Sequence, residues 1–92
     1  MILERDIEQY LVKRCKEKGW LCPKFTSPGR RSVPDRIVIM PDARIAFVEL
    51  KRGTIKVSKA QAYEHAKLRK LGHLVFVVGS CGGVDRFIGE MS

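Results

Sequence analysis

Asp35, Glu49 and Lys51 carry the clearest chemistry in the chain. The two acids belong to two runs rich in β-branched and apolar residues, 35–40 and 44–51, separated only by Pro41, Asp42 and Ala43. A connection this short closes a hairpin. With three residues in the loop, Met40 pairs with Arg44, and paired positions have numbers summing to 84, which sets Asp35 opposite Glu49. Alternation then puts Lys51 beside Glu49 on the same face, together with Ile37 opposite Phe47 and Ile39 opposite Ile45. That face is apolar except at the end where the acids meet. A loop one residue longer or shorter would send the acids to opposite faces.

Two carboxylates directly opposite each other, with Cβ atoms about 4.5–5.5 Å apart, repel and destabilise the pair of strands. A divalent cation is the best compensation, since Mg²⁺ takes oxygen ligands, commonly one or two carboxylates with waters and a substrate phosphate. Lys51 then lies within reach of the phosphate. The plainer alternative is a salt bridge from Lys51 to either acid at an exposed strand end.

The flanking elements must hold this end in place. Leu3, Ile7, Leu11 and Cys15 form one stripe, so residues 3–18 read as an amphipathic helix that stops at Gly19. Residues 20–25 read as a short strand, which Pro23 confines to an edge or an irregularity. Residues 26–34 are turn chemistry carrying Arg30 and Arg31. Ser58 and Gln61 match a capping box that opens a second helix, ending at Leu71 before Gly72. Residues 74–78 are an unbroken apolar strand, and a glycine-rich stretch, 79–83, leads to a short amphipathic piece, 84–88. The order is α-β-β-β-α-β with a small terminal helix. A helix between the third and fourth strands suits a crossover, which predicts an α/β fold with a mixed central sheet flanked by helices.

A length of 92 residues allows one domain, 1–92, and 45% apolar residues suffice for one core. Eighteen Lys and Arg against ten Asp and Glu, a net charge of +8, favour a polyanionic partner. No run resembles a membrane span or a signal peptide, so a cytoplasmic protein with no membrane partner is expected. Cys15, Cys22 and Cys81 have neither disulfide nor zinc-site spacing, and Cys81 has no base partner for covalent catalysis. The glycine-rich stretch lacks the Lys-Ser or Lys-Thr of a phosphate loop, which argues against a nucleotide cofactor. His65 and His73 lack ligand spacing and read as surface or packing residues. Trp20, Phe25, Phe47, Phe76 and Phe87 read as core, and Lys13, Arg14, Lys16 and Lys18 as a solvated helix face. Arg30 and Arg31 are placed for phosphate contacts, with Arg36, Arg52, Lys56 and Lys59 as further candidates.

Val33-Pro-Asp35 followed by Val48-Glu-Leu-Lys51 resembles the signature of the PD-(D/E)xK nuclease superfamily. The wider segments 27–36 and 47–51 are similar to the VRR-NUC family, the virus-type replication-repair nuclease module, and the resemblance extends over nearly the whole chain. It implies a restriction-endonuclease-like core and a metal-dependent phosphodiesterase. Asp35 and Glu49 would hold Mg²⁺ or Mn²⁺, with the Leu50 carbonyl completing the set. Lys51 would act on the attacking water or the transition state. Glu4 is the favoured third acid, although Glu8 lies one turn along the same helix and competes with it. Gln61 resembles the family's glutamine, but its place in the capping box offers a structural reading of equal weight.

Single-domain members of this family look like homodimers that cut four-way DNA junctions. The expectation is therefore a homodimeric endodeoxyribonuclease selective for branched DNA such as Holliday junctions, acting in a bacterial cell or a phage-infected host. The alternatives are a nicking, restriction-like or flap nuclease, and a non-catalytic nucleic-acid-binding module. Intact Asp35, Glu49 and Lys51 oppose the last of these.

Overall fold

The computed structural model describes residues 2–92. Helix α1 (Glu4–Glu17) starts where the Asp6 carboxylate accepts the Leu3 N–H at 2.8 Å, and it buries the stripe Ile7, Leu11 and Cys15 completely. It ends at Gly19, whose φ of +76° is the left-handed conformation that a helix stop uses. The next segment runs along the sheet edge, yet it forms only two isolated antiparallel bridges, Leu21 with Ile39 and Lys24 with Arg36. Pro23 lies between them and has no N–H to donate; its carbonyl still accepts the Ile37 N–H at 3.1 Å. The expected first strand is thus a stitched edge and not a continuous ladder.

Strands β1 (Arg36–Ile39) and β2 (Ile45–Leu50) pair antiparallel in the expected register, Ile37 with Phe47 and Ile39 with Ile45. The loop of three closes with Met40 N–H on the Arg44 carbonyl at 2.9 Å, and Asp42 and Ala43 supply the positive φ that the reversal needs. Helix α2 (Lys59–Lys70) begins at a complete capping box: Ser58 Oγ accepts the Gln61 N–H at 3.1 Å, and Gln61 Oε1 accepts the Ser58 N–H at 2.9 Å. It crosses over to β3 (Leu74–Val78), which lies parallel to β2, giving a mixed sheet ordered β1-β2-β3. Helix α3 (Cys81–Met91) is longer than the expected terminal piece. Ser80 caps it by accepting the Gly83 N–H, and burial of Val84, Phe87 and Ile88 outweighs the poor helix propensity of its glycines.

The sheet separates two environments. Val38, Ala46, Val48 and Leu50 face α1 and α3 in the main core. Asp85 of α3 accepts a hydrogen bond from Tyr10 at 2.7 Å and pairs with Arg14, so one cation of the expected solvated helix face ties α1 to α3. The opposite face carries Ile37, Ile39, Ile45 and Phe47, covered only in part, and α2 packs over its far end against β3. Among the described residues, no helix is long and apolar enough to cross a membrane.

Candidate active site

Asp35 follows the fully buried Pro34 and sits one position before β1, where its Oδ2 accepts the Leu50 N–H at 2.8 Å. That bond crosses the hairpin and brings the Asp35 carboxyl to Glu49, the neighbour of Leu50. Glu49 is 2% exposed. Burial, then its hydrogen bond to Asp35 and the Asp35 charge, push the Glu49 pKa up to about 8, with Lys51 opposing and Glu4 adding to the rise. A hydrogen bond between two carboxyl groups needs a proton on one of them. Glu49 therefore keeps its proton near neutral pH, at the place where a cation would neutralise the acids better.

Helix α2 supplies the lid on Glu49. Gln61 Nε2 donates to Glu49 Oε2 at 3.3 Å, and His65 Nε2 lies 3.2 Å from Glu49 Oε1. The two readings of Gln61 are thus compatible: its carbonyl oxygen serves the capping box while its amide nitrogen faces the acid. His65 is 1% exposed, and burial first, then the nearby Arg69 charge, lower its pKa and keep the ring neutral. Between the readings of surface and packing residue, the structure decides for packing and adds a contact with Glu49. The available signal was the spacing of four from Gln61, which places both side chains on one helix face. His73 is exposed, edge-on to Phe47.

Lys51 continues β2 beyond the acid, its N–H bonded to the Val78 carbonyl at 2.9 Å. The strand end is pressed tightly onto Gly79: a Cβ there would lie 2.6 Å from the Gly53 carbonyl oxygen and 2.9 Å from that of Lys51. The two helix acids separate. Glu8 is ion-paired with Arg36 at 2.8 Å, whereas the charge of the exposed Glu4 is felt at Glu49.

The basic candidates divide as well. Arg36 is largely buried, gripping Glu8 and the Cys22 carbonyl, so it cross-ties α1 to the edge segment and is not displayed to a phosphate chain. Arg30 pairs with Glu64 at 2.6 Å, which fastens the basic loop to α2. Arg31, Arg52, Lys56 and Lys59 are exposed. All three cysteines are free thiols, Cys15 fully buried with its pKa raised by a hydrogen bond to Cys22 and by burial. Among the described residues, no cluster of three or more His, Cys, Asp or Glu side chains forms a metal site. The donor set is thus a carboxylate pair, which suits a hydrated hard cation such as Mg²⁺ and not tetrahedral zinc.

No family model matches the chain. A protein of Acyrthosiphon pisum secondary endosymbiont phage 1, named "Putative nuclease p44", is 46% identical over 80 residues, which make up 87% of this chain and 86% of that protein. A solved structure titled VRR_NUC domain superposes with a TM-score of 0.91 at 38% identity, covering 97% of each chain. The acids at one end of the hairpin, the three-stranded mixed sheet and these likenesses lead to one assignment: the chain belongs to the VRR-NUC family of nuclease domains.

Proposed function

We propose that this nuclease is a divalent-metal-dependent endodeoxyribonuclease. The observation that carries the reading is the meeting of Asp35 with the buried Glu49 at one end of the hairpin, two residues along the strand from Lys51. The Asp35 and Glu49 carboxylates, with the Leu50 carbonyl, are the residues that would hold Mg²⁺ or Mn²⁺, and Glu4 would add negative charge from the end of α1. Such an ion supplies activation of water and neutralises the charge that develops on the phosphate. The Lys51 ammonium balances charge on the non-bridging phosphate oxygens and holds the incoming water. Attack at phosphorus breaks one P–O bond, and the departing oxygen takes up a proton. Arg31, Arg52, Lys56 and Lys59, exposed on the loops and at the start of α2, would contact the DNA backbone.

A domain of 92 residues spans little of a branched substrate, and a two-fold pair of such domains sets two cuts by symmetry. This supports a homodimer with a preference for Holliday-junction-like DNA. Incubation with junction, flap, nicked and linear duplexes in Mg²⁺ or Mn²⁺, together with light scattering, tests the reading. Preferred paired cutting of the junction by a dimer is expected. Equal cutting of all four would end the claim of structure selectivity, and sequence-dependent products on linear duplex would favour the restriction-like alternative.

A further inference from the structure

The Glu49 side chain is held from one side by a single helix. Its oxygens face Gln61 Nε2 at 3.3 Å and His65 Nε2 at 3.2 Å, one nitrogen for each oxygen. Gln61 and His65 are four residues apart, so one turn of α2 brings both nitrogens to the same carboxylate. The Gln61 amide cannot swing away freely, because its carbonyl oxygen is fastened to the Ser58 N–H at 2.9 Å. His65 cannot turn out to solvent without opening the packing around a side chain that is 1% exposed. The helix in turn is tied to the sheet, with the Arg69 guanidinium donating to the Val75 carbonyl at 2.9 Å.

A carboxylate has about four lone-pair directions. A helix that occupies one on each oxygen leaves the other two open to further partners. A free glutamate samples several rotamers, and freezing them in advance removes that entropy from the cost of binding an ion. Hydrogen-bond partners of this kind typically change metal affinity by about 10–100-fold when lost.

We infer that His65 is a positioning residue: its Nε2–H, paired with the Gln61 amide, clamps Glu49 in the orientation that receives a divalent cation. The inference rests on the proposed metal-holding role of Asp35 and Glu49. It also explains the burial of an imidazole beneath an otherwise open face. The residue touches neither the ion nor the DNA and acts only through the carboxylate.

Calorimetric titration of Mn²⁺ into the DNA-free protein is the test, on wild type, His65→Phe and His65→Gln, each checked for folding by circular dichroism. Wild type binds. His65→Phe, which fills the space without a donor, weakens Mn²⁺ binding by about tenfold or more, and His65→Gln, which restores a donor, recovers most of the loss. Wild-type affinity in folded His65→Phe would overturn the inference. Equal weakening in both folded variants would also overturn it, assigning His65 a packing role alone. Absence of Mn²⁺ binding by wild type would instead sink the metal reading itself, a separately visible failure. Should His65→Phe not fold, long-range ¹H–¹⁵N NMR of the wild-type ring decides the matter: the proton must sit on Nε2, and a ring protonated only on Nδ1 refutes the clamp.

Discussion

The two faces of the β1-β2 hairpin are built from alternate residues of the same strands and have opposite characters. Even-numbered Val38, Ala46, Val48 and Leu50 are all at most 1% exposed and pack against α1 and α3. Odd-numbered Ile39 and Ile45 are 38% and 41% exposed, and their face ends in Asp35 and Glu49. Because side chains alternate with a period of two, stability and chemistry are separated by parity, only one residue apart. A dry face can be filled with methyl groups. An open face can admit a polymer to a carboxylate pair at its edge.

Neighbouring substitutions should separate the two roles. Asp35→Asn keeps an oxygen for the Leu50 N–H but removes the charge; cleavage should fall by at least about a thousandfold, on the scale of a lost metal ligand, with little change in Tm. Val48→Ala, adjacent to Glu49 but on the other face, removes a fully buried side chain and should cost roughly 2 kcal/mol, or about 8–16 °C in Tm. Its cleavage rate per folded molecule should stay within about threefold of wild type. Cleavage assays below the lowered Tm check the pair. Large losses of both rate and stability in each variant would break the parity rule.

The same rule marks how far the sequence could be read. A three-residue loop and period-two alternation determine the register, so the meeting of Asp35 with Glu49 was legible before any coordinate. Parity also places Arg36 on the face opposite Asp35, where Glu8 binds it. Other features were hidden because they depend on tertiary packing. Both hairpin faces are apolar, and alternation does not say which one the helices cover. His65 meets Glu49 only because α2 comes to rest above it: the spacing of four from Gln61 puts both side chains on one helix face but does not say what that face covers. Likewise α3 runs for 11 residues because three buried side chains hold it, despite glycines that locally favour a turn.

A smaller effect should appear where the two faces share one support. Gly79 lies against the backbone carbonyls of Lys51 and Gly53, so the Cβ of Gly79→Ala must push the strand end that carries Lys51. The expected outcome is a loss of kcat of about tenfold or more, with a smaller change in Mn²⁺ affinity, because the clash falls on the backbone of Lys51 and Gly53 and not on the Glu49 side chain. Single-turnover cleavage and calorimetry separate these quantities. Loss of metal binding with an unaltered chemical step would show that the displacement reaches the wrong side of the site.

The subtlest difference between the faces is in their response to pH. The folded pKa of Glu49, about 8, lies above that of an unfolded glutamate, near 4.3, so the folded state binds more protons and loses stability as pH rises through 8. Between pH 7 and 9 the folded group goes from mostly protonated to mostly ionised while the unfolded one stays ionised. The difference is on the order of 1 kcal/mol, a fall in Tm of several degrees for the metal-free protein. Glu49→Gln should flatten this slope, as should saturating Mg²⁺, which takes the place of the proton. Val48→Ala should lower Tm by the same amount at both pH values and leave the slope intact, because no charge changes on the even-numbered face. Scanning calorimetry in EDTA at pH 7 and 9 resolves all three proteins, and a Glu49→Gln slope equal to that of wild type would place the pH-sensitive group elsewhere.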